Sequence, residues 1–146
     1  MVQKSERVFI DTNILVYSTF DDFDAEKHAQ SLKSLDKLLQ NENQFFVSPQ
    51  ILREFFATST NGNIFKKPLT HKQAVGKMKE FLKHFTFIQE KESTIFILMG
   101  LIEKYAVSRQ KIHDMNIVAT MIDNGIANLL TYNKQDFKQV KEITLL

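Results

Sequence analysis

Val8-Phe9-Ile10-Asp11-Thr12-Asn13-Ile14-Leu15-Val16-Tyr17 passes from three β-favouring residues through a polar triplet into a second apolar run. The first three read as a buried strand, and the triplet stands where such a strand ends. In an open parallel sheet the carboxyl ends of the strands border the crevice in which ligands bind, so an acid there is placed for chemistry. Asp11 is therefore the first candidate. The residue also has a plain structural use. Asp, Thr and Asn all satisfy free N–H groups at helix starts, and Asn13 to Ser18 reads as a short helix. Taken by itself, the stretch favours the cap.

Downstream the pattern of strand and helix recurs. Asp22 or Asp24 is expected to cap a helix from Ala25 to about Gln40, with Ala25, Ala29, Leu32, Leu35 and Leu39 on its apolar face against a sheet. Gln44 to Val47 reads as a second strand, closed by Ser48-Pro49, which suits a helix start. That helix carries Ile51, Leu52, Phe55 and Phe56, with Glu54 flanking the apolar side. After a break at Asn61-Gly62-Asn63, Thr70 to about His84 is a helix with Val75, Met78, Phe81 and Leu82 on its core face. Strands at Phe85 to Ile88, Asn128 to Thr131 and Ile143 to Leu145 alternate with helices from Ser93 to Tyr105 and from near His113. On the latter, Asp114 shares a face with Ile117, Val118, Met121 and Ile122. This order predicts an α/β three-layer sandwich with a central, mostly parallel five-stranded sheet, residues 1–146 forming one domain.

Composition narrows the class. A chain of 146 residues can bury a full core without staples. It has no cysteine, which removes disulfides, thiolate metal sites and cysteine nucleophiles. No apolar run approaches the ~20 residues needed to cross a bilayer, and Gln3, Lys4, Ser5 and Glu6 are polar where a signal peptide needs an apolar core. A soluble, cytoplasmic protein without a membrane partner is expected. The net charge of +2 does not by itself mark a nucleic-acid binder. Its distribution is uneven, however: from Lys66 to His84 there are six lysines against one acid, Glu80. Such a surface can contact phosphates, or can be an ordinary solvated helix face.

Four acids fall near the strand ends on one rim. Asp11 follows the first strand, Glu54 lies just past the second, Asp114 opens the helix before the fourth, and Asp136 follows the fourth. Each has a simple structural explanation as a cap, a solvated face or a turn residue. Together they are harder to dismiss. Carboxylates crowded on one rim repel one another, and a hard divalent cation with oxygen ligands relieves that repulsion. Magnesium so held can activate a water against a phosphodiester.

These residues resemble the PIN-domain ribonucleases, and within them the VapC-type toxins of toxin–antitoxin pairs. The matching pieces are VFIDTNILVY at Val8 to Tyr17, SPQILREFF at Ser48 to Phe56, IHDMNIVATMI at Ile112 to Ile122, and LLTYNKQDF at Leu129 to Phe137. They span nearly the whole chain in the family's order. The resemblance implies catalytic and metal-site roles for Asp11, Glu54 and Asp114, with Asp136 as the fourth acid and Asn13 and Thr131 as supporting polar groups. It also implies a five-stranded parallel sheet, Mg²⁺ or Mn²⁺ dependence and cleavage of single-stranded RNA. The implied partners are a small antitoxin protein and a second copy in a homodimer. Many relatives carry an acid where this chain has Asn133, so the shares of Asn133 and Asp136 in the site stay open. PIN domains outside toxin pairs share the same acids.

Three other readings are weaker. A nuclease-like fold that only binds RNA or protein would be expected to have lost at least one acid. A response-regulator receiver needs paired acids after its first strand, whereas Thr12 and Asn13 follow Asp11. A serine hydrolase needs a Gly-x-Ser-x-Gly elbow, which does not occur.

Overall fold

Residues 6–146 are described by the computed structural model; Gln3, Lys4 and Ser5 of the polar leader lie outside the described residues. In chain order the elements are β1 (Arg7–Ile10), α1 (Thr12–Thr19), α2 (Ala25–Gln40), β2 (Gln44–Val47), α3 (Pro49–Ser59), α4 (His71–His84), β3 (Thr86–Phe87), α5 (Thr94–Tyr105), α6 (Lys111–Asp123), β4 (Asn128–Leu130), α7 (Lys134–Phe137) and β5 (Thr144–Leu145). Among the described residues no helix is long and apolar enough to cross a membrane.

The sheet runs β3-β2-β1-β4-β5, and every pairing is parallel. The expected mostly parallel sheet is thus parallel throughout. Val8 pairs with Phe45 on one side and Asn128 on the other, which makes β1 the central strand. Val8, Phe9 and Ile10 are completely buried, as a strand is when helices cover both faces of its sheet. From β1 the chain steps outward to β2 and β3, then returns across the sheet to β4 and β5. Right-handed crossovers place α1 to α4 on one face and α5 to α7 on the other. The packing agrees: α1 lies against α2 and α3, α3 against α4, α5 against α6, and α6 against α7.

Two helices turn a different face inward from the one their large apolar residues mark. On α2, Leu32 and Leu39 are 47% and 57% exposed, while Ser31 is completely buried, with Leu35 and Leu38 packed on the core. On α4, Val75 and Leu82 are largely exposed, whereas Ala74 is completely buried beside Met78 and Phe81. The reason is close approach. Ser31 donates its hydroxyl to the Tyr132 phenol at 3.1 Å, and a larger side chain would hold α2 away from that partner. Small residues mark the line of closest contact, and a count of bulky residues does not see them. The expected helix start at Asp24 is found, with its carboxylate accepting from the Lys27 N–H at 3.0 Å.

Substituting the small inward residue tests this rotation. Ser31→Leu is expected to cost about 1–3 kcal/mol through overpacking. Leu32→Gln, on the outer face, should change stability by less than about 0.5 kcal/mol. Urea unfolding of both variants measures the difference, and a larger loss for Leu32→Gln would return the inward face to where bulk alone places it.

Candidate functional site

The connections leaving β1 and β4 run in opposite directions, so their carboxyl ends open a crevice between them. Asp11 stands at this point. Its N–H donates to the Leu130 carbonyl at 3.0 Å, which ties the end of β1 to the end of β4. Its Oδ1 accepts from the Thr12 N–H at 2.8 Å, making Asp11 the N-cap of α1. Its Oδ2 accepts from the Thr131 hydroxyl at 2.8 Å and the Asn13 amide at 3.2 Å. The N-cap of α1 and the acid lining the cleft are therefore one residue. Burial raises the Asp11 pKa, the hydrogen bonds from Thr131, Thr12 and Asn13 oppose the rise, and the charge of Glu54 adds to it.

Asn13 extends this frame. Its amide also donates to Thr131 Oγ1 at 3.2 Å, and its Oδ1 accepts from the Tyr132 N–H at 3.0 Å. Thr131 Oγ1 in turn accepts from the Asn133 N–H at 2.9 Å, so the turn after β4 is held against the start of α1.

Glu54 is clamped at both oxygens. Oε2 accepts from the Thr12 hydroxyl at 2.7 Å and Oε1 from the Gln50 amide at 2.9 Å. Gln50 also donates to the His113 carbonyl at 2.8 Å and accepts from the Asn116 amide at 2.8 Å. This buried amide thereby joins α3 to the first turn of α6, next to Asp114. Sequence reasoning passed over Gln50. The available signal was its place one helical turn before Glu54, where the two side chains meet.

Asp114 differs from both. Gln110 is the N-cap of α6, and the Asp114 carboxylate accepts no hydrogen bond among the described residues, so the capping explanation does not apply. Half-buried, it has a pKa raised to about 6 by desolvation, then by the charges of Asp136, Asp11 and Glu54, with Lys111 pulling weakly the other way. Asp136, on α7, is the foremost of those charges but does not line the cleft; Asn133 does.

Asp11, Glu54 and Asp114 line one cleft of about 420 Å³, together with polar Thr12, Asn13 and Asn133 and with Tyr17, Phe23, Ile64 and Phe65, which supply its aromatic and apolar lining. Among the described residues the ion pairs are Lys77–Glu80 and Lys104–Glu142, so none of the four acids has a basic partner. Nor, among the described residues, do three acids stand close enough to share one ion as they are placed. The donor set nonetheless fits a hard divalent cation. It is all oxygen, Asp114 is uncommitted, and Asp11 Oδ1 and both oxygens of Glu54 each accept a single hydrogen bond, which leaves lone pairs for a cation.

Fold and cleft define a class: an α/β protein with a carboxylate-lined crevice at the switch point of a parallel sheet. The chain belongs to the PIN domain family, whose model matches residues 8–143. No curated protein matches it in sequence. Its fold is similar to that of VapBC2 from Rickettsia felis bound to a promoter DNA fragment, with TM-score 0.69 and 22% identity over 96% of this chain and 97% of that one. VapBC-1 from nontypeable Haemophilus influenzae has TM-score 0.68 at 12% identity, covering 96% of each chain. VapC20 of Mycobacterium tuberculosis, a sarcin-ricin loop cleaving toxin, has TM-score 0.66 at 14% identity, over 91% of this chain and 95% of that one.

The raised pKa of Asp114 has a definite sign in stability. Between the ordinary value of 3.8 and about 6, folded chains hold a proton that unfolded chains have lost, so metal-free stability falls as pH rises through that window. Asp114→Asn removes this contribution. In chelator, the melting temperature of the wild type is expected to fall relative to Asp114→Asn as pH rises from about 4 to about 7. A constant difference across the range would mean that neither burial nor the neighbouring acids raise the Asp114 pKa in the folded chain.

Proposed function

We propose that this chain is a divalent-metal-dependent endoribonuclease that cuts single-stranded RNA, and that it is the toxin of a pair neutralised by a small antitoxin. The observation that carries the reading is the set of unneutralised carboxylates at the switch point. A stability-driven fold would pair or disperse such charges, because each buried acid without a cation is unfavourable. The similarity in fold to VapBC structures supports the toxin assignment, and membership of the PIN family supports the nuclease assignment.

In this reading Asp11, Glu54 and Asp114 hold Mg²⁺ or Mn²⁺, with Asp136 adding negative potential at Asp114. When bound, the ion supplies Lewis acidity that lowers the pKa of water and offsets charge on the phosphodiester. The protein's own share is preorganisation. Thr131, Asn13 and the Thr12 N–H fix Asp11, while Thr12 Oγ1 and Gln50 fix Glu54, so two carboxylates need little reordering. Asp114, free of hydrogen bonds and ionised at neutral pH, is the acid able to move onto the cation. Asn133, neutral where many relatives are acidic, lowers the charge of the cleft and can donate to a substrate oxygen. A homodimer belongs to the same proposal; Ile95, Phe96 and Met99 on α5, with Phe96 68% exposed, offer an apolar surface for it.

Cleavage of a single-stranded oligoribonucleotide is expected to require Mg²⁺ or Mn²⁺ and to stop in excess EDTA. Mn²⁺ should raise the melting temperature of the wild type, since an ion binding only the folded state stabilises it by mass action, and should raise that of Asp114→Asn little. Activity undiminished by EDTA, or a full Mn²⁺ shift in Asp114→Asn, would overturn the reading.

A further inference from the structure

We infer that the apolar wall of the cleft is a base-stacking subsite: Phe23 and Ile64 hold the nucleobase beside the scissile phosphate, and Lys66 and Lys67 beyond them contact the next phosphate. The inference deepens the single-stranded RNA reading and rests on it.

Phe23 lies in the turn between α1 and α2, inside the acidic run Asp21-Asp22-Phe23-Asp24, and is 49% exposed. A turn does not require a phenylalanine, and half of the ring stays in contact with water. Yet the ring is firmly mounted. It meets Phe65 edge-on at 4.7 Å and stacks with Tyr17 at 6.3 Å, and Phe65 lies flat on Phe20 at 3.9 Å. Phe20 and Phe65 are buried, so the exposed ring is anchored to the core. Ile64, 42% exposed, is presented by a tight turn in which the N–H groups of Ile64 and Phe65 both donate to the Asn61 carbonyl at 3.1 Å.

The position of these side chains gives them their meaning. Phe23, Ile64 and Phe65 line the acid cleft and also an adjoining hollow of about 320 Å³, whose lining is completed by Lys66, Lys67 and Asp22. They form the ridge between the two. Neither lysine is in an ion pair among the described residues. The surface therefore runs from carboxylates through an apolar ridge to a pair of cations. Single-stranded RNA carries one base on the ribose between each pair of successive phosphates, and aromatic faces flanked by cations are how proteins hold such strands. A duplex keeps its base faces stacked, so the ridge favours an unpaired strand. An apolar side chain of a protein partner would use the ridge but not the two lysines, which is why a nucleotide is the better occupant.

The test measures affinity for a fluorescein-labelled single-stranded oligoribonucleotide by anisotropy in an Asp114→Asn background, alongside kcat/KM for its cleavage in the otherwise native chain. Phe23→Ala is expected to weaken binding by about 5- to 150-fold, the loss of one stacked base, and to lower kcat/KM in parallel. Phe23→Leu, which keeps the packing on Phe65 but lacks a stacking face, should lose most of the same affinity, and Phe23→Trp should retain it. Lys66→Ala with Lys67→Ala should reduce the slope of log affinity against log salt by about 0.7 for each phosphate contact removed. Thermal melts identify any variant that fails to fold, in which case Phe23→Leu against Phe23→Trp decides. A wild type that binds and cuts RNA while the Phe23 variants keep its affinity overturns the subsite, leaves the nuclease reading intact and assigns the ridge to a protein partner. A wild type that neither binds nor cuts RNA with Mn²⁺ present fails at the nuclease reading, and the subsite falls with it.

Discussion

Burying a carboxylate at the end of the central strand is the constraint on which the rest of this structure depends. Asp11 is only 5% exposed, directly after three completely buried residues, and desolvation dominates its electrostatics. Such a group is tolerated only when hydrogen-bonded. Its partners come from three places: the first N–H of α1, the Asn13 side chain within α1, and the Thr131 hydroxyl after β4. Satisfying one acid thus fixes the start of the first helix and the pairing of the two strands that border the crevice.

A second set of contacts spreads from there. Thr12, whose N–H serves Asp11, offers its hydroxyl to Glu54, and Gln50 connects Glu54 to the main chain at the start of α6. One continuous network therefore runs from β1 through α3 to α6. Most members are polar side chains bonded to two or more partners, so each is held from more than one direction. Asp114 lies outside the network, since its carboxylate accepts no hydrogen bond among the described residues.

The accumulated charge is a cost borne by the fold. Asp114 feels Asp136, Asp11 and Glu54 at once, and Lys111 counters them weakly. Proteins under selection for stability alone tend to remove such clusters, whereas binding and catalytic sites keep them. The aromatic cluster beside the acids is a similar case. Phe20 and Phe65 complete the core, while Phe23, mounted on the same stack, faces outward.

Much of this was legible in the chain. Three β-favouring residues followed by an acid located the central strand, and the alternation of strands with helices required parallel pairing, because period and order are local properties that survive in any tertiary setting. The acids at strand ends could be named for the same reason. Which face of α2 and α4 turns inward could not, since the contact line follows Ser31 and Ala74, small residues whose burial depends on what approaches them. Gln50 was legible only in its spacing from Glu54, because its partners at His113 and Asn116 are distant in sequence and meet it only when α3 and α6 are packed. The division between Asn133 and Asp136 was likewise open: both sit in one short turn and helix after β4, and only the tertiary placement of that segment puts Asn133 in the cleft lining and leaves Asp136 out of it, within electrostatic reach of Asp114. Local sequence determined where strands end in acids; the packing of distant helices decided which of those acids face one another, because Coulomb and hydrogen-bond energies depend on distances in space that sequence separation does not set.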